Sequence, residues 1–393
     1  MIPPTELLQR SREIGQNVLA RWAAEVDECG RFPTESVAAL HEGGLIGFFV
    51  PARLGGLEGD TRTFWQIAAI LGESCLSTAL IWAMHGQQVA TLAEHAAEEH
   101  AGILADVARR GSLVASVTTE YGKGGDLFTS RTPLREEPGG LRLCRAAPIV
   151  SYGAEAEFYL ITMLRGEGMP ANDVCLALVK RTDGQISVAG EWQAMGMRGT
   201  ASVPMSFDVH IGPERLIGRA FRQMALQTMV PIGHLGWAAA WFGAARGACR
   251  RFVGQLRRSS QGRQKLKSDL FIHRLASIRV SLDLMESMIY RLADQLEQWK
   301  RDDAPPAMYE DITFNITLNN LKIASSQLAF AVSDGLLELS GLSQGYLKGD
   351  ALGLERTFRD LRSAALMYHN DRLMAANGKL ILVEHSSMQG VWQ

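Results

Sequence analysis

The spacing of hydrophobic positions changes twice along the chain. Up to about residue 112 it is helical, beginning with Leu7, Leu8, Ile14, Val18 and Leu19. "PTESVAALHEGGLIGFFVP" predicts a short amphipathic helix with a capping start at Thr34 and a stop at Gly43–Gly44. The stretch "TRTFWQIAAILGESCLSTALIWAMHGQQVATLAEH" is apolar almost all round, the mark of helix buried on several sides. From Ser112 to about Arg219 short apolar runs ("RLCRAAPIV", "FYLITML", "VCLALVK", "VPMSFDVHI") alternate with Gly, Pro, Asn and Asp. No helical segment interrupts them, so an antiparallel barrel or sandwich is expected rather than a βαβ sheet. From Met224 onward the helical period returns in long segments, which suits a four-helix bundle.

The pattern predicts a mostly α, α+β protein in three parts. These are an N-terminal helical domain (1–112), a middle β-barrel domain (113–222) and a C-terminal four-helix bundle (223–393). At 393 residues the chain is long enough for several subdomains. Net charge is −2, so no basic field points to nucleic acid or an anionic membrane. No apolar run is long enough to predict a membrane span. The N-terminus does not read as a signal peptide. The cysteines, Cys29, Cys75, Cys144, Cys175 and Cys249, have neither disulfide-framework nor zinc-ligand spacing, so no metal is expected. A reducing, cytoplasmic setting fits them.

Two stretches carry chemistry. "SVTTEYGKGGD", Ser116 to Asp126, ends a strand on hydroxyls and runs into glycines whose free backbone N–H groups can cradle a phosphate or meet a flavin edge. Read alone, it is a glycine-rich surface turn before it is a cofactor loop. "EWQAMGMRGTASVPMSFDVHIGPERLIG" reads as a polar loop followed by a strand.

Taken together, "GLIGFFVPARLGGLEGD", "TEYGKGGD", "GMRGTASVPMSFDVHIGP" and "ERTFRDLR" lie in order across nearly the whole chain. They resemble the motifs of the acyl-CoA dehydrogenase superfamily. The resemblance implies FAD held between the β-domain and the bundle, and a homodimer or homotetramer. Thr119, with Thr118 before it, stands where the family contacts the flavin. Gly124 and Gly125 complete that loop. Ser151 falls where a hydroxyl usually lies near flavin N5. Arg258 matches the arginine that reaches the phosphates of a neighbouring subunit's FAD, and Gly341 opens a weakened version of the glycine motif near it. The chain departs from the family at Gly125 (usually serine), at Ile149 (usually the tryptophan that covers the flavin) and at Gln261 (usually aromatic).

The largest departure concerns the base. A dehydrogenase of this family removes a proton with a glutamate. Counting from Arg359, that position falls on Tyr368, or on His369 after a one-residue shift; the alternative glutamate position falls on Leu226. A tyrosine titrating near pH 10 is a poor base, whereas an imidazole near 6.5 suits proton transfer. His369, Asp371 and His85 are therefore the catalytic candidates. The competing readings are a solvated loop histidine for His369 and a satisfied core histidine for His85. His234 reads as a packing or capping residue.

Three functions compete. One is α,β-dehydrogenation of an acyl thioester, carried on CoA or an acyl carrier protein, with a separate electron acceptor. Another is flavin-dependent monooxygenation, fed by a flavin reductase; the resemblance extends to that branch, which replaces the glutamate. The third is a non-redox scaffold member that has lost the base.

Overall fold

The computed structural model describes residues 2–218, 220–342 and 344–383. The N-terminal part folds as α1 (Pro4–Ile14), α2 (Ala20–Cys29), α3 (Thr34–Glu42), α4 (Thr61–Ser74), α5 (Leu76–His95) and α6 (Ala101–Arg110). Asp60 opens α4 by accepting a hydrogen bond from the Thr63 amide at 2.7 Å. Thr34 does not cap α3 as expected: it is already helical, Pro33 precedes it, and no side chain closes that end. Proline fits there because its missing N–H would have been an orphan donor. The apolar stretch 61–95 is two helices rather than one, broken at Cys75, whose backbone is extended.

The middle part holds β1 (Val114–Val117), β2 (Arg135–Glu137), β3 (Gly140–Val150), β4 (Phe158–Leu164), β5 (Val174–Lys180), β6 (Gly184–Val188) and β7 (Val203–Ile211). These strands form two sheets, ordered β1-β4-β5 and β2-β3-β7-β6. The expected antiparallel barrel is corrected in two respects. The sheets do not close into one ring, and β1 pairs with β4 in parallel, Val114 opposite Phe158. The parallel pair arises because β2 and β3 leave for the other sheet before the chain returns as β4. Every residue of β4 is buried, as suits a central strand covered on both faces. The register of β3 with β7 shifts between Ala147 and Val150, where Pro148 has no N–H to give the ladder. This irregularity delivers the chain to Ser151.

The C-terminal part comprises α7 (Phe221–Met224), α8 (Val230–Arg258), α9 (Ser260–Lys265), α10 (Asp269–Arg301), α11 (Pro306–Glu310), α12 (Ile312–Ser340), α13 (Leu354–Arg362) and α14 (Asn370–Val383). α8, α10 and α12 are the long members of the bundle. The fourth is broken between α13 and α14 by the loop 363–369. α8 also packs on α4, backbone against backbone. A Cβ added at Gly243 would lie 2.0 Å from the Ala69 carbonyl oxygen, and one at Gly72 would lie 2.4 Å from that of Ala240. The glycines of "GHLGWAAAWFGAARG" are thus what join the bundle to the N-terminal domain. None of the described helices is long and apolar enough to cross a membrane.

Candidate functional site

The β-domain presents a row of hydroxyls at its edge. Thr119, beyond the end of β1, donates from Oγ1 to the Ile149 carbonyl at 2.8 Å. Ser151, just past β3, shares a 2.9 Å hydrogen bond with Ser202, and Ser202 shares one of 2.7 Å with Thr200. The "TE" and "GMRGTAS" stretches therefore flank one rim, joined across the end of β3. Ile149 is itself exposed on that rim.

A buried ion pair fixes this rim from beneath. Arg145, on β3, is 3.1 Å from Glu120, with side-chain exposures of 0% and 6%. Arg145 also donates to the Thr119 carbonyl at 3.1 Å. Burial would raise the Glu120 carboxyl, but the Thr132 hydroxyl and Arg145 outweigh it and hold it low. Lys123 donates to the Thr118 carbonyl at 3.2 Å, and burial pushes its ammonium down to about 8.

Gly124 and Gly125 both take positive φ, +70° and +79°, the region that glycine enters without strain. A Cβ at Gly125 would come within 3.3 Å of Arg372. Arg372, on α14, donates to the Gly124 carbonyl and pairs with Asp126 at 3.3 Å. The glycine loop and the start of α14 therefore meet through Arg372, although they are far apart in sequence. A second tie joins the domains: Asp360 on α13 accepts from the Met197 amide at 2.6 Å, and burial pushes its carboxyl up to about 6.

The loop before α14 turns one side chain inward and leaves one outward. Tyr368, at φ +50°, packs its ring 5.6 Å from His234 and 6.4 Å from Trp237, centre to centre. Burial pushes its phenol up to about 12, so it is neutral at ordinary pH. His234 Nδ1 lies 3.3 Å from the Leu318 carbonyl. A carbonyl only accepts, so that nitrogen carries the proton and Nε2 is left as an acceptor. Burial holds His234 down at about 3. The Trp237 indole N–H makes no hydrogen bond. The three rings pack on one another, and beyond them the Arg372 guanidinium and the Asp126 carboxylate act on the Tyr368 phenol.

The candidate bases are placed differently from one another. His369 keeps 55% of its side chain exposed, 3.7 Å from Asp371, which is 92% exposed. His85 lies inside α5, fully buried. Its Nδ1 accepts from the Val114 amide at 3.0 Å, and its Nε2 lies 2.9 Å from the Ile46 carbonyl. With one nitrogen accepting and the other donating, both are used by backbone. Burial pushes this imidazole down to about 4. The structure therefore gives His85 a core role: it stitches α5 to the start of β1.

Arg258 lines a cleft of about 660 Å³ with Arg250, Arg251, Arg356 and the turn 349–353. Glu73 and Asp350 line it as well, and Glu73 pairs with Arg250 at 2.9 Å, so the cleft holds both signs of charge with guanidiniums in excess, which suits an anionic ligand. Gly341 borders a different groove, beside Leu337, Tyr346 and Phe358. The two stretches meet through Lys265, which donates to the Leu339 and Ser340 carbonyls at 3.0 and 3.3 Å. Sequence reasoning missed Arg372, Arg145 and the His234–Trp237–Tyr368 wall. Two of these carried a signal: Tyr368 by its place in the motif count, and His234 as a packing or capping residue.

The polar rim, the glycine loop and the arginine cleft together fit a flavin nucleotide. The rim offers hydroxyls to a polar ring edge, and the cleft offers cations to phosphates. Comparison with known proteins bears on this. The model of the acyl-CoA dehydrogenase N-terminal domain matches residues 5–102, and that of the C-terminal domain matches residues 224–368. A short-chain-specific acyl-CoA dehydrogenase of Clostridium acetobutylicum is 24% identical over 360 residues, 90% of this chain and 91% of its own. Butyryl-CoA dehydrogenase of Megasphaera elsdenii superposes with a TM-score of 0.85 at 18% identity, over 96% of this chain and 98% of that one. Dibenzothiophene monooxygenase of Paenibacillus sp. A11-2 superposes with a TM-score of 0.82 at 18% identity, over 96% and 97%. That monooxygenase has also been solved with FMN and indole.

Proposed function

Because the chain belongs to the acyl-CoA dehydrogenase family, we propose that it is a flavin-dependent oxidoreductase whose reacting centre lacks a carboxylate base. The observation that carries this is that Tyr368, packed on His234 and Trp237, stands at the position where the family's glutamate is expected. FAD is the proposed cofactor. Thr118, Thr119, Gly124, Gly125 and Ser151 would hold its ring end, and Arg258 with the stretch around Gly341 would meet the phosphates of a partner subunit's flavin. When bound, flavin supplies a hydride acceptor or, once reduced, a partner for oxygen. Ser151 and Thr119 orient the ring edge. Trp237 and Tyr368 keep water away from it. Tyr368, held neutral, can donate a hydrogen bond to a developing negative charge but cannot take a proton at neutral pH.

Two reactions fit this frame. The sequence relatives are named acyl-CoA dehydrogenases, which supports α,β-dehydrogenation of an acyl thioester carried by CoA or a carrier protein. That reaction needs a base, and His369, with Asp371 beside it, is the group proposed to move the proton. Tyr368 and Leu226 at the two usual glutamate positions favour the second reading, monooxygenation fed by an external flavin reductase. Such a reaction needs a dry pocket and a hydrogen bond at the ring edge rather than a carboxylate. Anaerobic mixing with a series of acyl thioesters separates the readings. Bleaching of the flavin band by a thioester alone supports dehydrogenation. Bleaching only by an added reductant, followed by oxygen-dependent reoxidation coupled to product, supports monooxygenation. A protein that takes up no flavin on titration overturns both. In whichever assay turns over, His369→Ala should cost on the order of 10²–10⁴-fold, and Tyr368→Phe less.

A homodimer or homotetramer is part of the proposal. Leu270, Val280, Leu284 and Tyr290 stand exposed on α10, and Arg258 is proposed to serve a partner's flavin. Light scattering on the flavin-loaded protein at micromolar concentration tests it, and a monomer would refute it.

A further inference from the structure

The bundle interior holds a cation whose role the reaction does not explain. Lys322, on α12, is fully buried. Its Nζ donates to Asn370 Oδ1 at 2.7 Å and lies 5.8 Å from the centre of the Trp241 ring. Among the described residues it pairs with no carboxylate. An ammonium has three donors, and one of them is aimed at a single amide. That amide is oriented from its other side as well: Asn370 Nδ2 donates to Ser326 Oγ at 3.0 Å, and Ser326 donates to the Ile323 carbonyl at 2.8 Å. Asn370 is the first residue of α14. It lies two residues after Tyr368, whose positive φ is unfavourable for a bulky side chain and must be held by its surroundings.

We propose that Lys322 is the positioning residue of the loop 363–369: through Asn370 it anchors the chain at the point where Tyr368 turns inward and His369 outward. The ammonium is the stronger donor and the neutral amine the weaker. The anchor should therefore loosen as Lys322 loses its proton, and burial brings that event down to about pH 7. Other titratable groups stand on the elements packed around α12. α8 carries His234, already neutral. The loop and α14 carry His369, Asp371 and Arg372. α13 carries Asp360 and Arg362, and α10 carries Arg291. His369 adjoins Asn370 and is removed in the test.

The inference leans on the proposed site only for its consequence in catalysis. The experiment needs no flavin and no substrate, so it can fail while the flavoenzyme reading stands. The full chain is labelled with 3-fluorotyrosine, and the Tyr368 resonance is assigned with Tyr368→Phe. In a His369→Gln background that resonance should move between about pH 6 and 8, with its midpoint near 7. Lys322→Met should abolish the movement, and Lys267→Met, at an exposed site, should keep it. Asn370→Ala leaves the lysine free to titrate but cuts the link, so it too should abolish the movement. A field felt directly through space would survive that change. A Tyr368 resonance that does not titrate with Lys322 in place, or that titrates unchanged in Asn370→Ala, overturns the proposal, whether or not Lys322→Met folds.

Discussion

Two buried cations hold the two halves of the site, and the chain treats them differently. Arg145, beneath the hydroxyl rim, faces Glu120 and further acceptors at Thr119 and Ser130. Lys322, behind the aromatic wall, faces one amide oxygen and an indole ring. Glu120 supplies Arg145 with opposite charge, so burial lowers the guanidinium without discharging it. Burial of Lys322 meets no such opposition, and its ammonium falls to about 7. The rim is therefore locked at every ordinary pH, while the wall has a joint whose strength can change. Arginine suits the first task because it stays charged and forks to several acceptors. Lysine suits the second because it can give its proton up.

The largest test of this contrast removes the carboxylate. Glu120→Ala leaves Arg145 buried without a counter-charge, which typically costs about 3–5 kcal/mol. Urea unfolding should show that loss, and flavin uptake should fall with it because Thr119 loses its support. A cost under about 1 kcal/mol would mean the pair does not lock the rim.

Removing the other cation should give a different signature. The folded-state value of Lys322 lies below the usual lysine value of about 10.4. Between those limits the unfolded chain binds a proton that the folded one does not. Stability should therefore rise with pH through that window, by up to about 1.4 kcal/mol per pH unit. Below pH 7 the charge is present in both states and its burial cost is constant. Lys322→Met should flatten the rise and be more stable than the parent at pH 6. A stability profile with the same slope in both proteins would place the titration elsewhere.

His85 offers a middle-sized test. His85→Leu leaves the Val114 amide and the Ile46 carbonyl without their partner, at about 1–3 kcal/mol for each group left unsatisfied. The melting point should drop while turnover of the folded fraction is retained. A selective loss of turnover would restore His85 as a catalytic group.

Arg372→Ala should have the smallest effect on stability. Its contacts with Gly124 and Asp126 are partly exposed, and such pairs contribute about 0–1 kcal/mol. Proteolysis in the glycine loop 122–125 should nevertheless quicken, because that tie to α14 is gone. An unchanged cleavage rate would mean the loop is held by its own backbone.

What could be read from the sequence follows the range over which each signal acts. Helical period, strand alternation and glycine placement act within a few residues. They therefore located the three parts of the chain, the long helices α10 and α12, and the glycines of the loop 122–125, which take positive φ. The motif order extended this to a fold family and to the rim residues Thr119 and Ser151. Pairing across long separations has no such local mark. The parallel β1–β4 pair, the Arg372 bridge and the Arg145–Glu120 lock each join segments whose own spacing says nothing about the other. Histidines illustrate the limit most clearly. In sequence His85, His234 and His369 are the same side chain with the same ordinary chemistry. Burial and hydrogen-bond partners, which only the tertiary structure supplies, leave both nitrogens of His85 occupied, give His234 one free acceptor, and leave His369 open to solvent.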